Sequence, residues 1–364
     1  MTLDELRKRI DTLDEQIVEL LNERARAALE IGRLKRRDGA PAFAPEREAS
    51  VYNRLKRVNR GPLPDGCFQA VYREIISGCR SLERSLRICY LGPPGTFSHL
   101  AARERFGASA EFVPVRDIPS VFEEVARGHT DYGVVPVENS TIGSVTETQD
   151  MFVAYDLKVV AEIMIPIHHN LLAKCPREQI RRIHSKPQVL SQCREWLAHT
   201  FPDADLREEA STARAASIAA QEPGVAAIGT TLAGQLYDLD ILVPNIEDVA
   251  GNVTRFFVLS QTNAAPADRS KTSLLIAIED HVGALFDMLE PFKKAGINLT
   301  KIESHPSRDK AWNYWFFVDL EGRVDDENVA ATLETVSAGA REVKVLGSYP
   351  IAEDAWPGQE KPAL

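Results

Sequence analysis

The N-terminal stretch carries apolar side chains at alternating steps of three and four residues. The positions are Leu3, Leu6, Ile10, Leu13, Ile17, Leu20, Ala27, Ile31 and Leu34. This heptad spacing predicts one long helix with a single apolar seam. Thr2 and Glu5 form a capping box at its start, and Gly39 and Pro41 are predicted to end it. Because a helix of about 35 residues is roughly 50 Å long, we expect the seam to pack against another chain.

One position of this seam holds a cation. Arg24 follows Leu20 in the heptad, and a guanidinium in an apolar seam is costly unless an anion meets it. Lys35 lies about three helical turns further on nearly the same face, and Arg7 flanks the seam near its start. These three cations predict a ligand with two negative charges. A solvated basic face is the simpler interpretation of Lys35 or Arg7 taken singly, but a poor one for Arg24.

Two further helices are predicted before residue 84. The second helix carries Arg47 and Glu48 in its first turn, and the third covers residues 65–83. Cys79 and Glu83 are four residues apart on the third helix and therefore face the same way. Glu83 lies beside an apolar stripe, where a protonated carboxyl could donate a hydrogen bond to a ligand. A solvated helix end explains its position equally well.

Residues 3–84 resemble the all-helical chorismate mutase domain, through the pattern LRxxID, then PxRE, then a closing REIIS helix. The resemblance implies an interlocked dimer, so the protein is expected to be a homodimer or a higher homo-oligomer. It also implies that Arg24, Arg47 and an Arg7 from the partner chain hold the two carboxylates of chorismate.

The same resemblance implies that Lys35 and Glu83 address the ether oxygen, which gains charge as its bond breaks. Glu48 would bind a substrate hydroxyl, and Cys79 stands at a substrate position where many relatives have serine. A pericyclic rearrangement needs a compact substrate conformer and preorganised charge, without covalent help. Because Glu83 can donate to the ether oxygen only when protonated, we expect mutase activity to fall as the pH rises through neutrality. A flat pH profile from mildly acid to mildly alkaline would refute that role.

Length and composition limit the number of domains, the class of partner and the cellular compartment that can be expected. Two or three domains are expected for 364 residues, and the net charge of -10 argues against nucleic acid as the main partner. The chain has no apolar run near the ~18 residues of a membrane span, and its N-terminus lacks a signal-peptide core. The five cysteines are scattered without a CxxC pair, which predicts reduced thiols and a cytoplasmic protein.

A second constraining stretch is DYGVVPVENSTIGSV, from Asp131 to Val145. Residues 132–137 predict a short buried strand, which stops at four polar residues, Glu138 to Thr141, before a helical pattern. Polar groups at the C-terminal end of a buried strand lie where α/β sheets bind ligands. A helix cap and turn would account for the same residues about as well.

Residues 88–262 alternate strand and helix patterns, which predicts two α/β lobes, two crossings of the chain between them, and a cleft at the crossover. His168, His169, His184 and Cys193 lack a metal-ligand spacing, and there is no Ser-His-Asp grouping or phosphate-binding loop. We therefore expect no metal, and a cleft that recognises a small polyanion or polyol through hydroxyls and amides. The polar residues at the predicted strand ends are Thr96, Ser98, Asn139, Ser140, Thr141, Ser185, Gln188, Gln192, Ser211, Thr212, Thr254 and Arg255.

This region resembles prephenate dehydratase along its whole length, through LGPPGTFSHLAA, DYGVVPVENSTIGSV, SKPQVLSQC and NVTRFFVL in that order. The reaction gives an aromatic product, so its main requirement is a hydrogen-bond donor or general acid at the leaving hydroxyl. The resemblance implies that Thr254 is the catalytic residue near that hydroxyl. Lys186 departs from the family, in which most members have histidine. The substrate would be surrounded by Thr96, Ser98, Asn139, Ser140 and Thr141.

After a polar linker at 263–271, residues 272–350 follow the order βαββαβ of a ferredoxin-like unit, and 351–364 is expected to be a tail. The unit resembles an ACT regulatory domain of the phenylalanine-sensing type, through HVGALF and ESHP. His305 departs from the usual ESRP. The resemblance implies L-phenylalanine bound between paired ACT domains, through Gly283, Ala284, Leu285, Asn298, Leu299, Glu303 and Ser304.

Together these patterns predict a multidomain enzyme with an all-α mutase domain at 1–87, a two-lobed α/β dehydratase domain at 88–262, and an ACT domain. It would make phenylpyruvate from chorismate under feedback inhibition by L-phenylalanine, without a cofactor. One alternative is a dehydratase whose mutase is weakened by Ala44 and Cys79. Another is a non-catalytic amino-acid sensor, because a two-lobed cleft and an ACT unit could simply bind ligands. Arg24 in the seam and the TRF sequence at Thr254 favour the bifunctional enzyme over both.

Overall fold

The computed structural model describes residues 2–38, 43–267, 269–306 and 314–352. Gly39 and Pro41, which are predicted to end the first helix, lie outside this description, as do Asp268 of the predicted linker and residues 353–364 of the predicted tail. The described residues up to Arg87, together with Arg103–Glu111, form one compact unit, and the other described residues form a second.

The helices are α1 (Leu3–Asp38), α2 (Pro45–Val58), α3 (Asp65–Glu83), α4 (Phe97–Phe106), α5 (Ile118–Ala126), α6 (Thr146–Ala154), α7 (Pro187–Gln192), α8 (Arg194–Thr200), α9 (Thr212–Ala219), α10 (Thr231–Tyr237), α11 (Ala284–Lys294) and α12 (Glu327–Gly339), with a 3-10 turn at Arg177–Gln179. The strands are β1 (Arg87–Leu91), β2 (Glu111–Val115), β3 (Tyr132–Asn139), β4 (Gly143–Ser144), β5 (Lys158–Pro166), β6 (Asn170–Ala173), β7 (Arg182–Ser185), β8 (Asp205–Glu208), β9 (Val225–Gly229), β10 (Asp240–Val243), β11 (Val253–Ser260), β12 (Ser270–Ala277), β13 (Leu299–Pro306), β14 (Tyr314–Glu321) and β15 (Glu342–Pro350).

The first unit is built on α1, α2 and α3, which confirms the all-helical prediction. Helices α1 and α3 approach so closely that a Cβ on Gly32 would overlap the side chain of Glu83. The heptad seam of α1 remains uncovered in the single chain, because its large apolar residues are 41% to 64% exposed. These residues are Leu3, Leu6, Ile10, Leu13, Ile17, Leu20, Ile31 and Leu34.

The first lobe of the α/β region is a mixed sheet in the order β2-β1-β3-β11-β5, with β4 added beside β3. Strand β3 pairs in parallel with β1, and β11 is antiparallel to both β3 and β5. The predicted end of β3 at Val137 is wrong by two residues, because β4 and β11 continue the ladder as far as Asn139. The last strand of the region therefore lies inside its sheet, between β3 and the edge strand β5, with Thr254 opposite Asn139.

The second lobe is a sheet in the order β10-β6-β9-β7-β8. The chain enters it after β5 and returns after β10, which confirms the two predicted crossings. The Ile167 amide donates to the Asn252 carbonyl at 2.8 Å and joins the two crossing segments. The sequence PQVLSQCREWLAHTF, residues 187–201, predicts one helix. The structure has two helices there, α7 and α8, because Cys193 leaves the helical conformation with φ of -115° and ψ of 17°.

The C-terminal sheet has the order β13-β14-β12-β15 with every pair antiparallel, and α11 and α12 pack against it. This arrangement confirms the predicted ferredoxin-like unit. Strand β12 begins at Ser270, inside the predicted linker, because Ser270 pairs with Pro350 at the far end of β15.

One buried core joins the first lobe to the C-terminal sheet. It combines Val135 and Phe257 of the first lobe with Phe317 and other residues of the C-terminal sheet. Strand β15 runs so close to β5 that a Cβ on Gly347 would overlap the backbone of Val159. Since buried apolar area is the main source of stability in such a core, the two sheets stabilise each other. Among the residues that the structure describes, none of the helices combines the length and the apolar character that a membrane span requires.

Candidate functional site

Asn139 and Thr254 form a hydrogen-bonded pair in the first-lobe sheet, at the C-terminal end of β3 and the N-terminal end of β11. They face each other across β3 and β11, and the Asn139 Nδ2 donates to the Thr254 Oγ1 at 2.8 Å. Asn139 Nδ2 also donates to Asn252 Oδ1 at 2.6 Å. Its Oδ1 accepts from the amides of Thr141 at 3.0 Å and Ile142 at 3.1 Å, so the orientation of the Asn139 amide is determined on both sides. Because the Thr254 oxygen accepts from Asn139, its own O–H is available to donate.

Ser140 connects the turn after β3 to the start of β11. Its amide donates to the Val253 carbonyl at 2.9 Å, and its Oγ accepts from the Val253 amide at 2.9 Å. These two bonds fix both the N–H and the C=O of Val253, the residue that precedes Thr254. Thr141 is exposed beside them. The structure therefore brings together four of the predicted residues, Asn139, Ser140, Thr141 and Thr254.

Thr96 and Ser98 lie at the start of α4, after β1. Parallel pairing of β1 with β3 places the segments that follow both strands at the same edge of the sheet. Thr96 caps α4: its Oγ1 accepts from the His99 amide at 3.3 Å and donates to the Leu91 carbonyl at 3.0 Å. Ser98 is buried. The structure thus places both residues at the predicted edge, with the Thr96 hydroxyl already engaged in the helix cap.

The loop before Thr96 is held by the second lobe. Thr230 Oγ1 donates to the Gly95 carbonyl at 2.8 Å, and the Tyr237 hydroxyl donates to the Pro94 carbonyl at 3.1 Å. Gly95 has a φ of +93°, and a Cβ there would lie 3.2 Å from the Ala233 backbone, so glycine is required. Thr230 was not predicted as part of the site. Its sequence signal is a threonine capping a helix directly after a buried strand.

His169 occupies the first crossing between the lobes and is 1% exposed. Its Nε2 lies 2.8 Å from Gln192 Oε1, and its ring meets the edge of Phe97 at 5.8 Å. Burial lowers the pKa of His169 below its usual range, outweighing Glu247 and the Gln192 hydrogen bond. A neutral ring with Nε2 protonated therefore donates to Gln192. Among the described residues no cluster of His, Cys, Asp and Glu could hold a metal ion.

The predicted mutase residues of α1 and α3 lie side by side in the first unit. Arg24 Nη1 donates to Cys79 Sγ at 2.9 Å, and both side chains are at least half-buried. Two turns further along α1, the Glu83 side chain packs on Gly32, one turn before Lys35. Arg24, Cys79, Glu83 and Lys35 therefore share one interface between two helices.

Arg7, Arg47 and Glu48 are placed differently. Arg7 is exposed and pairs with Asp4 at 3.8 Å. It precedes Arg24 by seventeen residues on one helix, so about 25 Å separate them. Arg47 is exposed on α2.

Glu48 is buried and holds two arginines. Its Oε1 accepts from Arg80 at 2.9 Å, and its Oε2 accepts from Arg105 at 2.9 Å. Both guanidinium groups also lie over the ring of Phe43, at 5.4 Å for Arg80 and 4.8 Å for Arg105. These arginines were not predicted, because their separation of 32 and 57 residues from Glu48 leaves no local pattern.

The C-terminal sheet carries a cavity of about 260 Å³ at the start of α11. It is lined by Gly283, Ala284 and Leu285 of the first predicted signature and by residues such as Tyr314. Gly283 has a φ of +90°, which favours glycine at this helix start. The lining does not include Asn298 and Leu299, or Glu303 and Ser304 of the second signature, ESHP. The two predicted halves of the effector site lie on different elements of one chain, with Ser304 of β13 opposite Phe316 of β14, which lines the cavity.

The second signature contacts the first lobe instead. Glu303 accepts hydrogen bonds from Ser144 and from Lys301, at 3.1 Å for the latter. Burial alone would raise the pKa of Glu303, but these partners outweigh it and hold the pKa below its usual range. His305, which departs from the usual arginine, is buried and lies 2.8 Å from Asp150 Oδ1.

Three families match successive parts of the chain. The type II chorismate mutase model matches residues 6–84, the prephenate dehydratase model residues 88–264, and the ACT domain model residues 272–338.

Full-length relatives combine the same three parts. The bifunctional chorismate mutase/prephenate dehydratase of Aquifex aeolicus is 45% identical over 355 residues, which cover 96% of this chain and 98% of the relative. That of Pseudomonas aeruginosa is 42% identical over 357 residues, with the same two coverages. The solved structure of prephenate dehydratase from Arthrobacter aurescens in complex with L-Phe is 32% identical, with a TM-score of 0.68. It covers 73% of this chain and 90% of that one.

Proposed function

Because this chain belongs to the family of bifunctional chorismate mutases/prephenate dehydratases, we infer that it rearranges chorismate to prephenate and then converts prephenate to phenylpyruvate. The similarity to the Aquifex relative covers 96% of the chain, so it includes both enzymatic parts and the ACT domain. The single observation that carries the dehydratase assignment is the 2.8 Å bond from Asn139 to Thr254 at the edge of the sheet.

For the first step we propose a mutase site shared between two chains. Arg24 and Arg47 would hold the carboxylates of chorismate, and Arg7 would come from a second chain because it lies about 25 Å from Arg24. Lys35 and Glu83 would stabilise the charge that develops on the ether oxygen. Charge placed in advance of the reaction is the main catalytic contribution available to a pericyclic rearrangement.

Glu48 is proposed to combine two roles in that site. Its carboxylate joins α2 to Arg80 and Arg105, and each of its oxygens has a second lone pair. A substrate hydroxyl could therefore donate to Glu48 without displacing either arginine. Cys79 is proposed to orient Arg24 through the 2.9 Å contact of its sulfur.

For the second step we propose that Thr254 donates its hydroxyl proton towards the leaving hydroxyl of prephenate. The carboxylate leaves as CO2, its bonding electron pair enters the ring, the ring carbon–oxygen bond breaks, and the protonated hydroxyl leaves as water. The Thr254 oxygen regains a proton from solvent, so one proton is consumed for each phenylpyruvate, CO2 and water formed. The ring becomes aromatic, so the enzyme needs mainly to position a donor. Asn139 would direct the Thr254 proton, and Ser140, Thr141, Thr96 and Ser98 would surround the substrate.

The regulatory proposal follows from the ACT domain. Gly283, Ala284 and Leu285 of one chain would meet Asn298, Leu299, Glu303 and Ser304 of a second, with L-phenylalanine between them. We place the domains at 1–87, 88–262 and 272–350 with a linker at 263–271, except that β12 begins at Ser270, so the ACT domain starts there and the linker ends at Arg269. No metal or redox cofactor has a role in either reaction as proposed.

The decisive experiment supplies purified protein with chorismate and follows phenylpyruvate by its absorbance in alkali, with and without millimolar L-phenylalanine. We expect phenylpyruvate to form and L-phenylalanine to slow its formation. Prephenate that accumulates without phenylpyruvate would remove the dehydratase assignment. Conversion of added prephenate but not of chorismate would favour a dehydratase with a weakened mutase. Binding of L-phenylalanine without either turnover would favour an amino-acid sensor.

A further inference from the structure

The strands that carry Asn139 and Thr254 present a second pair of side chains to the opposite side of the sheet. Glu138 precedes Asn139 on β3, and Arg255 follows Thr254 on β11. The strand register places Glu138 opposite Arg255, just as it places Asn139 opposite Thr254. Because successive side chains of a strand point to opposite faces, Glu138 and Arg255 lie behind the proposed catalytic pair.

Arg255 is bound by acidic groups from both sheets. Its Nε donates to Glu162 of β5 at 2.8 Å, and its Nη1 donates to Asp319 of β14 at 2.5 Å. Its Nη2 donates to the hydroxyl of Tyr349 on β15 at 3.0 Å. Lys271 of β12 adds a second cation, 3.3 Å from Glu162. One guanidinium of the catalytic strand is therefore held by two strands of the C-terminal sheet.

This Arg255 cluster is closed to solvent. Arg255, Glu162 and Asp319 are each less than a tenth exposed, and Tyr349 is fully buried. Burial alone would lower the pKa of Arg255, but Tyr349, Asp319 and Glu162 raise it above its usual range, so the group remains charged. The negative charges of Glu162 and Asp319 then balance the positive charges of Arg255 and Lys271. Removing one member would leave another charge buried without its partner, which strongly disfavours independent movement.

Glu138 makes a parallel connection to β13. Lys301 Nζ donates to Glu138 Oε2 at 2.8 Å and to Ser144 Oγ at 3.1 Å. The same lysine lies 3.1 Å from Glu303, a residue of the second ACT signature. Glu303, Lys301 and Glu138 therefore form a continuous series of charged contacts from that signature to β3, where Glu138 precedes Asn139.

We propose that Glu138 and Arg255 are positioning residues through which the C-terminal sheet of the ACT domain, β13-β14-β12-β15 (the ACT sheet), controls the geometry of Asn139 and Thr254. This inference rests on the proposed function and deepens it, because it assigns the route by which L-phenylalanine inhibits the dehydratase. A shift of β13 moves Lys301 and with it Glu138. A shift of β14 or β15 moves the partners of Arg255. Either movement displaces the proposed catalytic pair without any residue of the ACT domain touching substrate.

The test compares two lysines of the ACT sheet in the full-length protein. Lys301→Met removes the contact to Glu138. Lys344→Met is the matched control, because Lys344 also reaches the first lobe, donating to the carbonyls of Phe152 at 3.0 Å and Tyr155 at 2.6 Å. Those carbonyls belong to α6 and its end, away from the Glu138–Arg255 pair. Both variants are assayed with prephenate for kcat and KM, for half-inhibition by L-phenylalanine, and for thermal midpoint.

We expect Lys301→Met to lower kcat about tenfold with a smaller effect on KM, since misplaced catalytic groups affect mainly the chemical step. The L-phenylalanine concentration for half-inhibition should rise about fivefold or more. Lys344→Met should leave both quantities within about twofold, at a similar thermal midpoint. If the two variants have the same kcat and the same inhibition, the proposal is overturned.

Arg255→Lys gives a second, independent readout. Lysine retains the positive charge but cannot span Glu162 and Asp319 together. We expect lower kcat and weaker inhibition by L-phenylalanine in a folded protein, whereas unchanged values would contradict the positioning role. A wild-type protein that does not convert prephenate would defeat the proposed function itself. An active wild type with insensitive Lys301→Met and Arg255→Lys variants would defeat only this inference.

Discussion

At the scale of single residues, the dehydratase proposal depends on the direction of one hydroxyl. Thr254 accepts a hydrogen bond from Asn139, and that amide is itself oriented by Asn252 and by two backbone amides of the turn after β3. A threonine oxygen has one proton, so satisfying its acceptor side leaves that proton to donate. Thr254 is mostly buried, so its donor strength is not dissipated by bulk water.

Thr254→Ala should abolish dehydratase activity while mutase activity survives. Removing a positioned donor or general acid slows a reaction by roughly 10²–10⁴-fold, and the mutase residues belong to the other compact unit. The measurement is phenylpyruvate formation from prephenate beside prephenate formation from chorismate. Thr254→Ser is the control, because it retains the hydroxyl and should keep substantial activity. Loss of both activities in a folded Thr254→Ala protein would count against separate sites.

His169 should make the folded protein sensitive to mild acid. Burial lowers its pKa from the reference value of 6.5, so the unfolded chain takes up the proton more readily than the folded one. Stability linked to His169 is therefore fully present above pH 6.5 and is lost as the pH falls below it. Glu247 favours the charged ring and His168 opposes it, but neither outweighs burial.

Urea unfolding midpoints of the wild type and of His169→Gln, measured at pH 7.5 and at mildly acid pH, test this expectation. Glutamine retains a donor towards Gln192 and does not titrate near neutral pH. The wild type should lose more stability than the variant over this interval. An equal loss in both proteins would show that His169 is not the group that titrates.

At the scale of elements, strand β11 links the proposed dehydratase site to the C-terminal sheet. It is the last strand of the α/β region in sequence, yet it lies between β3 and β5 in space. One of its faces carries Thr254, and the side chain of Arg255 reaches β14 and β15 of the ACT sheet. Strand β15 in turn packs against β5, so the catalytic strand and the regulatory sheet share a core.

Gly347→Ala should destabilise this packing. The new Cβ would overlap the backbone of Val159, and a backbone group cannot turn aside as a flexible side chain can. Overpacking of this kind costs typically about 1–3 kcal/mol, and the measurement is the free energy of unfolding of the second unit in urea. Gly339→Ala is the control, because a Cβ there meets nothing within 4 Å. Equal stability of the two variants would contradict the close approach of β15 and β5.

At the scale of the whole molecule, the uncovered seam of α1 supports the proposal that a second chain packs against it. Eight large apolar residues of the seam are 41% to 64% exposed along one helix of 36 residues. Burying such a side chain fully contributes roughly 1.5–3 kcal/mol, so covering the seam is a strong driving force for association. A second copy of α1 supplies a matching seam, and it would also bring Arg7 towards the Arg24 of its partner.

Leu13→Arg should therefore weaken self-association and reduce mutase activity far more than dehydratase activity. A guanidinium in an apolar interface lacks a counter-ion and costs several kcal/mol. Light scattering of the eluting protein gives the oligomeric state, and separate assays give the two activities. Glu15→Arg, at an exposed position of α1 outside the seam, is the control. An unchanged oligomer with an unchanged mutase would exclude the seam as the interface.

The sequence by itself determined the three-part organisation, the long first helix and the residues that gather at the edge of β3. The long first helix follows from a local periodicity, because backbone geometry dictates which side chains share a face. The three-part organisation and the meeting of Asn139 with Thr254, 115 residues apart, were implied by the motifs through which the chain resembles three families. The extension of β3 to Asn139 escaped prediction because pairing with the distant strand β11 overrode the local pattern. The break at Cys193 escaped prediction because Asp248, 53 residues after Glu195, accepts from the amides of Glu195 and Trp196 in the first turn of α8.

Only the tertiary structure decided which distant charges meet. Arg255 pairs with Asp319, which lies 64 residues further along the chain, and Glu48 pairs with Arg105, which lies 57 residues further. Neither separation has a repeat or a motif that could indicate it. A buried charge must be paired, but which partner reaches it depends on how whole sheets and helices pack, and packing is a property of the folded chain.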